Sequence, residues 1–432
     1  NIANPVPTYK IEVSDLPKVE SSSKTEPIIE TSSEDSVSAT DQDLDEKPPA
    51  IAVLPFSNMS GDAEQDYFVD GITEDIITNL SLWRSFPVIS RNSSFTFKGK
   101  SMKLKDVAKE LGARYIVEGS VRKGGKRVRI TAQLIDAEQD HHLWSEKWDK
   151  NLEDIFDIQD EVSASIAAQI NPTLEDYERE RIERVKPTNY NAWETYLKSL
   201  QIFNNRNPSD HEDIELKKAL SLCEKAIKLD DSMSHAYSLL AKICEWELLQ
   251  FTTEDSKKTL NEMLSYGKKA EELDSKNPIA AYNIARHYFF SGKFEQAKFY
   301  SERAIQLNPS YPDAQNILGQ SLVHSGKFAE SEKHFHKAIE LNPLDPNAIL
   351  YKDGLYFAQM GLGNYEMAYL LIEECISQFS KAGFYKGFKA AVLGYLDKKT
   401  EAKDALEEYL SLRPNLKTKE DYKRIFVPNS SL

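Results

Sequence analysis

Apolar and polar residues change their spacing along this chain, and each change marks a different kind of structure. Over residues 1–48 apolar side chains are scattered without period among Ser, Thr, Pro, Asp and Glu. Such a stretch cannot bury enough apolar surface to offset the entropy lost on ordering, so a disordered linker is expected. Its acidic cluster, Asp41, Asp43, Asp45 and Glu46, reads as a solvated, self-repelling run. From 49 to 150 strand-like and helix-like patterns alternate. Ile51-Ala-Val-Leu-Pro-Phe56 is an apolar run of buried-strand length, ended by Ser57-Asn-Met-Ser-Gly61. Between Asp66 and Trp83, Ile72, Ile76, Ile77 and Leu80 fall on one helical stripe. Phe86-Pro-Val-Ile-Ser90 predicts a second strand, and Leu104, Val107, Ala108 and Leu111 a second helix stopped by Gly112. Tyr115-Ile-Val117 opens a third strand, and Arg122-Lys-Gly-Gly-Lys126 is a hairpin turn. Val128, Ile130, Ala132 and Leu134 then alternate with polar neighbours, the period of a half-buried strand, and His142 to Trp148 alternates similarly. The expected order is β-α-β-α-β-β-β, an α/β mixed-sheet domain over 49–150 with helices on one face of the sheet. Residues 151–186 are expected to be connecting helices, bent or broken at Pro172.

Beyond residue 187 the period is helical, and the pattern itself repeats. Gly292-Lys-Phe294 recurs as Gly326-Lys-Phe328, Ala304-Ile305 as Ala338-Ile339, and Leu307-Asn-Pro309 as Leu341-Asn-Pro343, each pair 34 residues apart. That is the length of one tetratricopeptide (TPR) unit, two antiparallel helices that bury their apolar faces by stacking on neighbours. Ala226, Ala270, Ala304 and Ala338 form one small column; Ala219, Ala297, Ser331, Ala368 and Ala402 form another. Small side chains there let helices approach closely. Gly292 and Gly326 suit the turn inside a unit, and Pro309 and Pro343 are expected in the first turn of the next helix. The fold class is therefore an α/β mixed-sheet domain followed by an all-α TPR superhelical solenoid. About six units are expected over 187–416, with a C-terminal tail at 417–432.

The α/β region resembles a known family. Ala52-Val-Leu-Pro-Phe56, Asp70-Gly-Ile-Thr-Glu74, Ser90-Arg-Asn-Ser-Ser94, Phe97-Lys-Gly99, Glu118-Gly-Ser-Val-Arg122, Arg129-Ile-Thr-Ala-Gln133 and Leu143-Trp144 are similar, in order, to the TolB-amino-terminal-like domain. The resemblance runs from about Ala50 to Glu183, then to Lys186-Pro-Thr188 and Ala192-Trp193 at the start of the repeats. In bacteria that domain often follows a class III adenylate/guanylate cyclase domain or a winged-helix regulator. The resemblance implies a non-enzymatic sensory or protein-contact module and brings no catalytic residue with it.

Composition narrows the function classes. The net charge is −15, from 54 basic and 69 acidic residues, which argues against a nucleic-acid scaffold. Three cysteines, Cys223, Cys244 and Cys375, lie inside helical patterns and read as buried apolar residues, not as a disulfide framework. No apolar run approaches a membrane span and no signal peptide follows Asn1. A cytoplasmic fragment or processed product is expected, or a periplasmic one if a signal peptide or membrane span precedes residue 1.

Candidate chemistry is sparse, and no enzyme, cofactor or metal is expected. Gly99-Lys100-Ser101 resembles the end of a phosphate-binding loop, but Ser94 stands where such a loop needs its first glycine, so a plain loop is expected. His141-His142 on a strand and His334/His336 on a helix do not share a face and read as exposed histidines. Asp62, Glu64 and Asp66 alternate like a calcium loop, yet Tyr67 holds the position that needs glycine. They are expected around the start of the helix near Asp66.

Function is therefore expected from surfaces. The first helix of each TPR unit would line a groove for a protein or peptide partner. Mapping the repeat puts His235, Ser238 and Lys242 there, followed by Tyr282, Arg286 and Phe289, then Asn316, Gln320 and Val323. This mixture of aromatic, polar and basic groups can anchor apolar side chains and a carboxylate. The regular Lys/Asn pattern of chaperone-tail-binding arrays is missing. Two readings are open: a regulatory region of a signalling protein, foremost a class III cyclase or else a winged-helix regulator, or a stand-alone envelope adaptor. Because unit-on-unit packing stabilises such an array, residues 187–432 alone should show helical circular dichroism and a cooperative melt. A fragment with neither would refute the repeat reading.

Overall fold

The computed structural model describes residues 48–170, 189–206, 214–250, 252–253, 255–345, 348–378 and 383–412. The expected linker (but for its last residue), the Pro172 bend and the 417–432 tail lie outside these residues.

Five strands form a small mixed sheet. They are β1 (Ile51–Val53), β2 (Ser57–Asn58), β3 (Tyr115–Gly124), β4 (Arg127–Asp136) and β5 (His141–Asn151). The strand order is β1-β3-β4-β5; β1 and β2 both run parallel to β3, and β3, β4 and β5 are antiparallel neighbours. Phe86–Ser90, expected as a strand, only bridges β1: Ile51 N–H donates to Pro87 O at 3.0 Å and Ile89 N–H to Ile51 O at 2.8 Å. The chain turns immediately afterwards into a short helix that the spacing did not predict, α2 (Arg91–Phe95).

Helices cover both faces of the sheet, not one. Ile51 and Val53 point toward α1 (Asp66–Ser81) and α4 (Ile155–Ile170), while Ala52 and Ile116 pack with α3 (Leu104–Leu111) on the opposite side. Alternation along β1 dictates this, since successive side chains face opposite ways and all three are fully buried. Gly112 ends α3 in the left-handed region, at φ +65°.

The rest of the described chain is helical. Six antiparallel pairs are seen among the described residues: α5 (Tyr190–Asn205) with α6 (Ile214–Leu229), α7 (Ser234–Gln250) with α8 (Ser256–Leu273), and α9 (Pro278–Phe290) with α10 (Phe294–Leu307). Then come α11 (Pro312–His324) with α12 (Phe328–Leu341), α13 (Ile349–Leu362) with α14 (Tyr365–Gln378), and α15 (Phe384–Tyr395) with α16 (Lys399–Ser411). Ala219, Ala226, Ala270, Ala297, Ala304, Ala338 and Ala368 are completely buried. Gly292 and Gly326 hold φ of +70° and +73° in the turns within two pairs, where a Cβ would be strained.

Pro309 and Pro343 are not in the first turn of the following helix. They stand in the connecting corner, and α9 and α11 begin instead at Pro278 and Pro312. The Asn before Pro309 explains it: Asn308 Oδ1 accepts from Ser310 N–H at 2.9 Å, and this Asx turn delays the helix.

One apolar core runs from the sheet through α1 and α4 into α5, α6 and α7. The Trp193 ring on α5 meets Phe68 and Phe156 edge-on, at 5.8 and 5.0 Å between centroids. Gly71 permits this contact, because a Cβ there would lie 2.6 Å from Leu197. A fragment of 187–432 leaves Trp193 and Leu197 without that cover, so it should melt below the full chain even where it folds.

Within the array, Phe335 sits where glycines of neighbouring first helices make room. A Cβ on Gly354 would come 2.2 Å from the Phe335 ring, whereas one on the exposed Gly394 meets nothing within 4 Å. Helical Gly→Ala ordinarily stabilises by about 0.5–1 kcal/mol. Gly394→Ala should follow that rule, and Gly354→Ala should reverse it by about 1–3 kcal/mol through overpacking. Urea denaturation of both variants reads the two signs directly.

Candidate functional site

The first helices of successive pairs, α7, α9, α11 and α13, pack side by side and build a wall. At its centre Glu245 on α7 is buried and matched: Arg286 Nε lies 2.7 Å away, and the Tyr282 hydroxyl donates to both carboxylate oxygens at 2.9 and 3.1 Å. Ionised groups this buried persist only when paired, and here the carboxylate comes from α7 and both of its partners from α9. The Arg286 guanidinium also lies over Phe290 at 4.4 Å. Next along the wall, the Tyr351 hydroxyl donates to Asp313 at 2.8 Å, while burial pushes the Asp313 carboxyl above its usual range.

The nine residues expected to line a groove divide between two roles. Ser238, Tyr282, Arg286 and Asn316 are buried and hold the wall together. Asn277 Nδ2 donates to Ser238 Oγ at 3.0 Å, and Asn316 Oδ1 accepts from Gln320 at 3.4 Å. His235 is half-buried with its ring 6.2 Å from Tyr196. Phe289, Gln320 and Val323 are also half-buried; Phe289 packs edge-on to Phe294 and His324, and Val323 packs beside Phe335. Lys242 stands apart, its ammonium over the rings of Tyr282 and Tyr311 at 5.7 and 5.9 Å.

The α/β part covers one end of this wall. Val88 N–H donates to Ser310 Oγ at 3.0 Å and Ser90 N–H to Leu341 O at 2.8 Å. Ser93 Oγ donates to Asn342 Oδ1 at 2.8 Å and accepts from Leu344 N–H at 3.0 Å, and Asn92 Nδ2 donates to Asp345 at 2.8 Å. Asn308 Nδ2 donates to Ser81 Oγ at 3.0 Å. Asn308 and Asn342 are the same position of the repeated Leu-Asn-Pro, 34 residues apart. The repetition was visible, but a recurring Asn also fits a turn, and nothing in the sequence names its partner across more than 200 residues.

The other candidates are structural or isolated. Gly99-Lys100-Ser101 borders a cleft of about 760 Å³ beside β2, β3 and β4. There the Lys98 ammonium donates to both Asp70 oxygens at 2.7 Å. Asp62 caps the turn before α1 by accepting from Glu64 N–H at 2.9 Å, and Asp66 accepts from Asn58 at 2.7 Å. His141 and His142 are exposed, but His334 is not: it is half-buried, bonded to Gln315 at 2.8 Å, and burial pulls its imidazole down to about 4. Its helix turns it against α11. The three cysteines are free and buried, with thiols pushed up to about 12 by burial. No helix among the described residues is long and apolar enough to cross a membrane.

Known proteins share parts of this arrangement. Residues 279–311 and 312–345 each match the tetratricopeptide repeat family, and residues 47–165 match the family described as HilA/YgeH-like transcriptional regulator, second domain. A relative described as "Putative adenylate cyclase 3", from Rhizobium meliloti (strain 1021), is 37% identical over 250 residues. The match takes in 58% of this chain and 42% of the relative, so the chain spans less than half the relative's length. Among solved structures, a tetratricopeptide repeat protein from Parabacteroides merdae ATCC 43184 is 18% identical, with 52% of this chain and 80% of that one covered, at a TM-score of 0.36. YrrB, described as a TPR protein with an unusual peptide-binding site, is 19% identical over 49% of this chain and 98% of its own, at 0.34. TolB from Acinetobacter baumannii is 18% identical over 31% of each chain, at 0.23, too slight a likeness to carry the TolB resemblance of the α/β motifs.

One carboxyl rises far above its usual range. Asp353 on α13 lies among Cys375, Tyr356 and Tyr385 with Oδ1 unbonded, and burial raises its carboxyl from 3.8 to about 7. Between those values the folded chain holds a proton that the unfolded chain has released. Stability from this group is therefore greatest near pH 4 and falls as pH rises through 7, by up to about 4 kcal/mol. Asp353→Asn should melt above the parent at pH 8, with the gain shrinking toward pH 4. Melting curves across that range test it, and a gain independent of pH would reject it.

Proposed function

We propose that this chain is a non-catalytic regulatory and protein-contact region of a signalling protein, foremost of a class III adenylate/guanylate cyclase. The observation that carries the reading is the 37% identity to a relative described as an adenylate cyclase, of which this chain spans only 42%. The remaining length of that relative leaves room for a catalytic domain outside the matched part. The match of residues 47–165 to a HilA/YgeH-like regulator domain favours a second reading, in which the same region belongs to a winged-helix transcriptional regulator. Both make the α/β domain (49–150, with 151–186 leading out of it) and the TPR superhelix (187–416) a receiver of signals.

In this reading a protein or peptide partner meets the wall of first helices at its uncovered end. Phe289, Gln320 and Val323 are its contacts, while Arg286 behind them stays committed to Glu245. His235, Ser238, Tyr282 and Asn316 shape the wall from beneath, and Lys242 stands at its covered end. Aromatic anchors such as Phe289 commonly carry much of the binding energy of an interface.

The reading frame upstream of the Asn1 codon tests the choice. A cyclase domain there supports the first reading, a winged-helix domain the second, and a short leader with neither removes both. In the complete cyclase, assayed well below the variant's own melting temperature, Phe289→Ala with Val323→Ala should change cyclic-nucleotide formation from ATP by about threefold or more, roughly 0.7 kcal/mol. Unchanged turnover in cells and in lysate would separate this wall from regulation.

A further inference from the structure

The α/β part does not close flush against the wall. Two joined cavities, of about 260 and 120 Å³, remain between them, and both are lined by Asn92, Phe203, Lys242 and Asp313. The larger is bounded on the α/β side by Glu74, Ser81 and Arg91, and on the helical side by Tyr311 and Asn342. The smaller reaches Trp246, Tyr282 and Arg286. Small-molecule sites commonly form at such junctions between domains.

Two hydrogen-bond donors in this chamber lack acceptors. Tyr311 is 9% exposed, and its buried hydroxyl has no hydrogen-bond partner. The Lys242 ammonium has ring contacts with Tyr282 and Tyr311 but no hydrogen bond or ion pair among the described residues. An unmet buried donor is costly, which is why such groups nearly always find a partner.

The other charged groups facing the chamber already have hydrogen-bond or ion-pair partners. Glu245 is held by Arg286 at 2.7 Å and Glu74 by Arg91 at 3.0 Å. Asp345 accepts from Asn92 at 2.8 Å and Asn342 at 2.7 Å; Asp313 accepts from Tyr351 at 2.8 Å and feels the Lys242 charge without a hydrogen bond to it. Arg206 lies over Phe203 and Trp246 at 3.7 and 3.9 Å. What the chamber offers a ligand is thus one ammonium, one phenol and flat aromatic walls.

We infer that this chamber binds a small carboxylate bearing a planar apolar group. Its oxygens accept from Lys242 Nζ and Tyr311 Oη, and its apolar part lies against Phe203, Trp246 and Tyr282. Because one side of the chamber belongs to the α/β part and the other to the repeats, the ligand clamps the two together. This site is separate from the partner surface proposed above and does not depend on it.

Phenylacetate is a suitable probe for the full 432-residue chain, read by calorimetry and by the rise in melting temperature. Saturable binding is expected, with the neutral phenylacetamide at least tenfold weaker, since a charge-assisted contact is lost. Lys242→Met and Tyr311→Phe should each weaken phenylacetate about tenfold, while Lys100→Met, in the cleft of the α/β sheet, leaves it unchanged. No saturable binding up to about 10 mM would overturn the proposal. So would equal binding of acid and amide, or an unaltered affinity in Lys242→Met.

Discussion

Everything else in this molecule depends on how the turn at Ser90–Ser93 docks on the repeat corners at Asn308 and Asn342. A corner between helix pairs carries carbonyls and amides that the helices cannot satisfy themselves. Here Ser310, Leu341, Asn342 and Leu344 meet Val88, Ser90 and Ser93 in buried or half-buried hydrogen bonds. Each such bond is worth on the order of 1 kcal/mol net, but losing one partner strands the other in a dry site at a higher cost. The contact is therefore specific as well as adhesive. It fixes the orientation of the sheet against the array, so the chamber and the covered end of the wall have a defined shape.

A second junction makes the docking two-sided. Near the start of the array, Glu194 accepts from the Tyr67 hydroxyl at 2.6 Å and from Lys123 at 3.1 Å, and Lys123 in turn lies over Phe68 at 4.7 Å. Glu74 joins the same region, paired with Arg91 and accepting from Asn204 at 3.1 Å. With the chain anchored at α5 and again at the α10–α13 corners, the α/β part bridges the array instead of trailing from it. A bridged array differs from one stabilised by neighbour contacts alone, because strain at one unit can reach another through the sheet.

This gives the short motifs of the α/β region physical jobs. In Asp70-Gly-Ile-Thr-Glu74, Asp70 holds Lys98, Gly71 admits Leu197, Thr73 Oγ1 accepts from Phe56 N–H at 3.2 Å, and Glu74 pairs with Arg91. In Ser90-Arg-Asn-Ser-Ser94, Ser90, Asn92 and Ser93 all reach the repeat corners. Two of the short motifs, Asp70–Glu74 and Ser90–Ser94, thus carry contacts that attach the region to the helical repeats.

Much of the architecture was legible in the sequence because it rests on local periods. The 34-residue recurrence, the small residues at Ala304 and Ala338, and the glycines at 292 and 326 each meet a requirement that any stacked helix pair imposes. Alternation along Val128–Leu134 likewise placed β4 by geometry alone. The tertiary structure decided what no local pattern encodes. It put α3 on the second face of the sheet, moved Pro309 and Pro343 out of the helix starts, and turned Ser238 and Arg286 into supports of the wall. It also joined Ser93 to Asn342 and left Lys242 and Tyr311 unmet in one chamber. Periodicity records which side of an element is buried but not what buries it, and these contacts join residues whose separation along the chain carries no signal of their meeting.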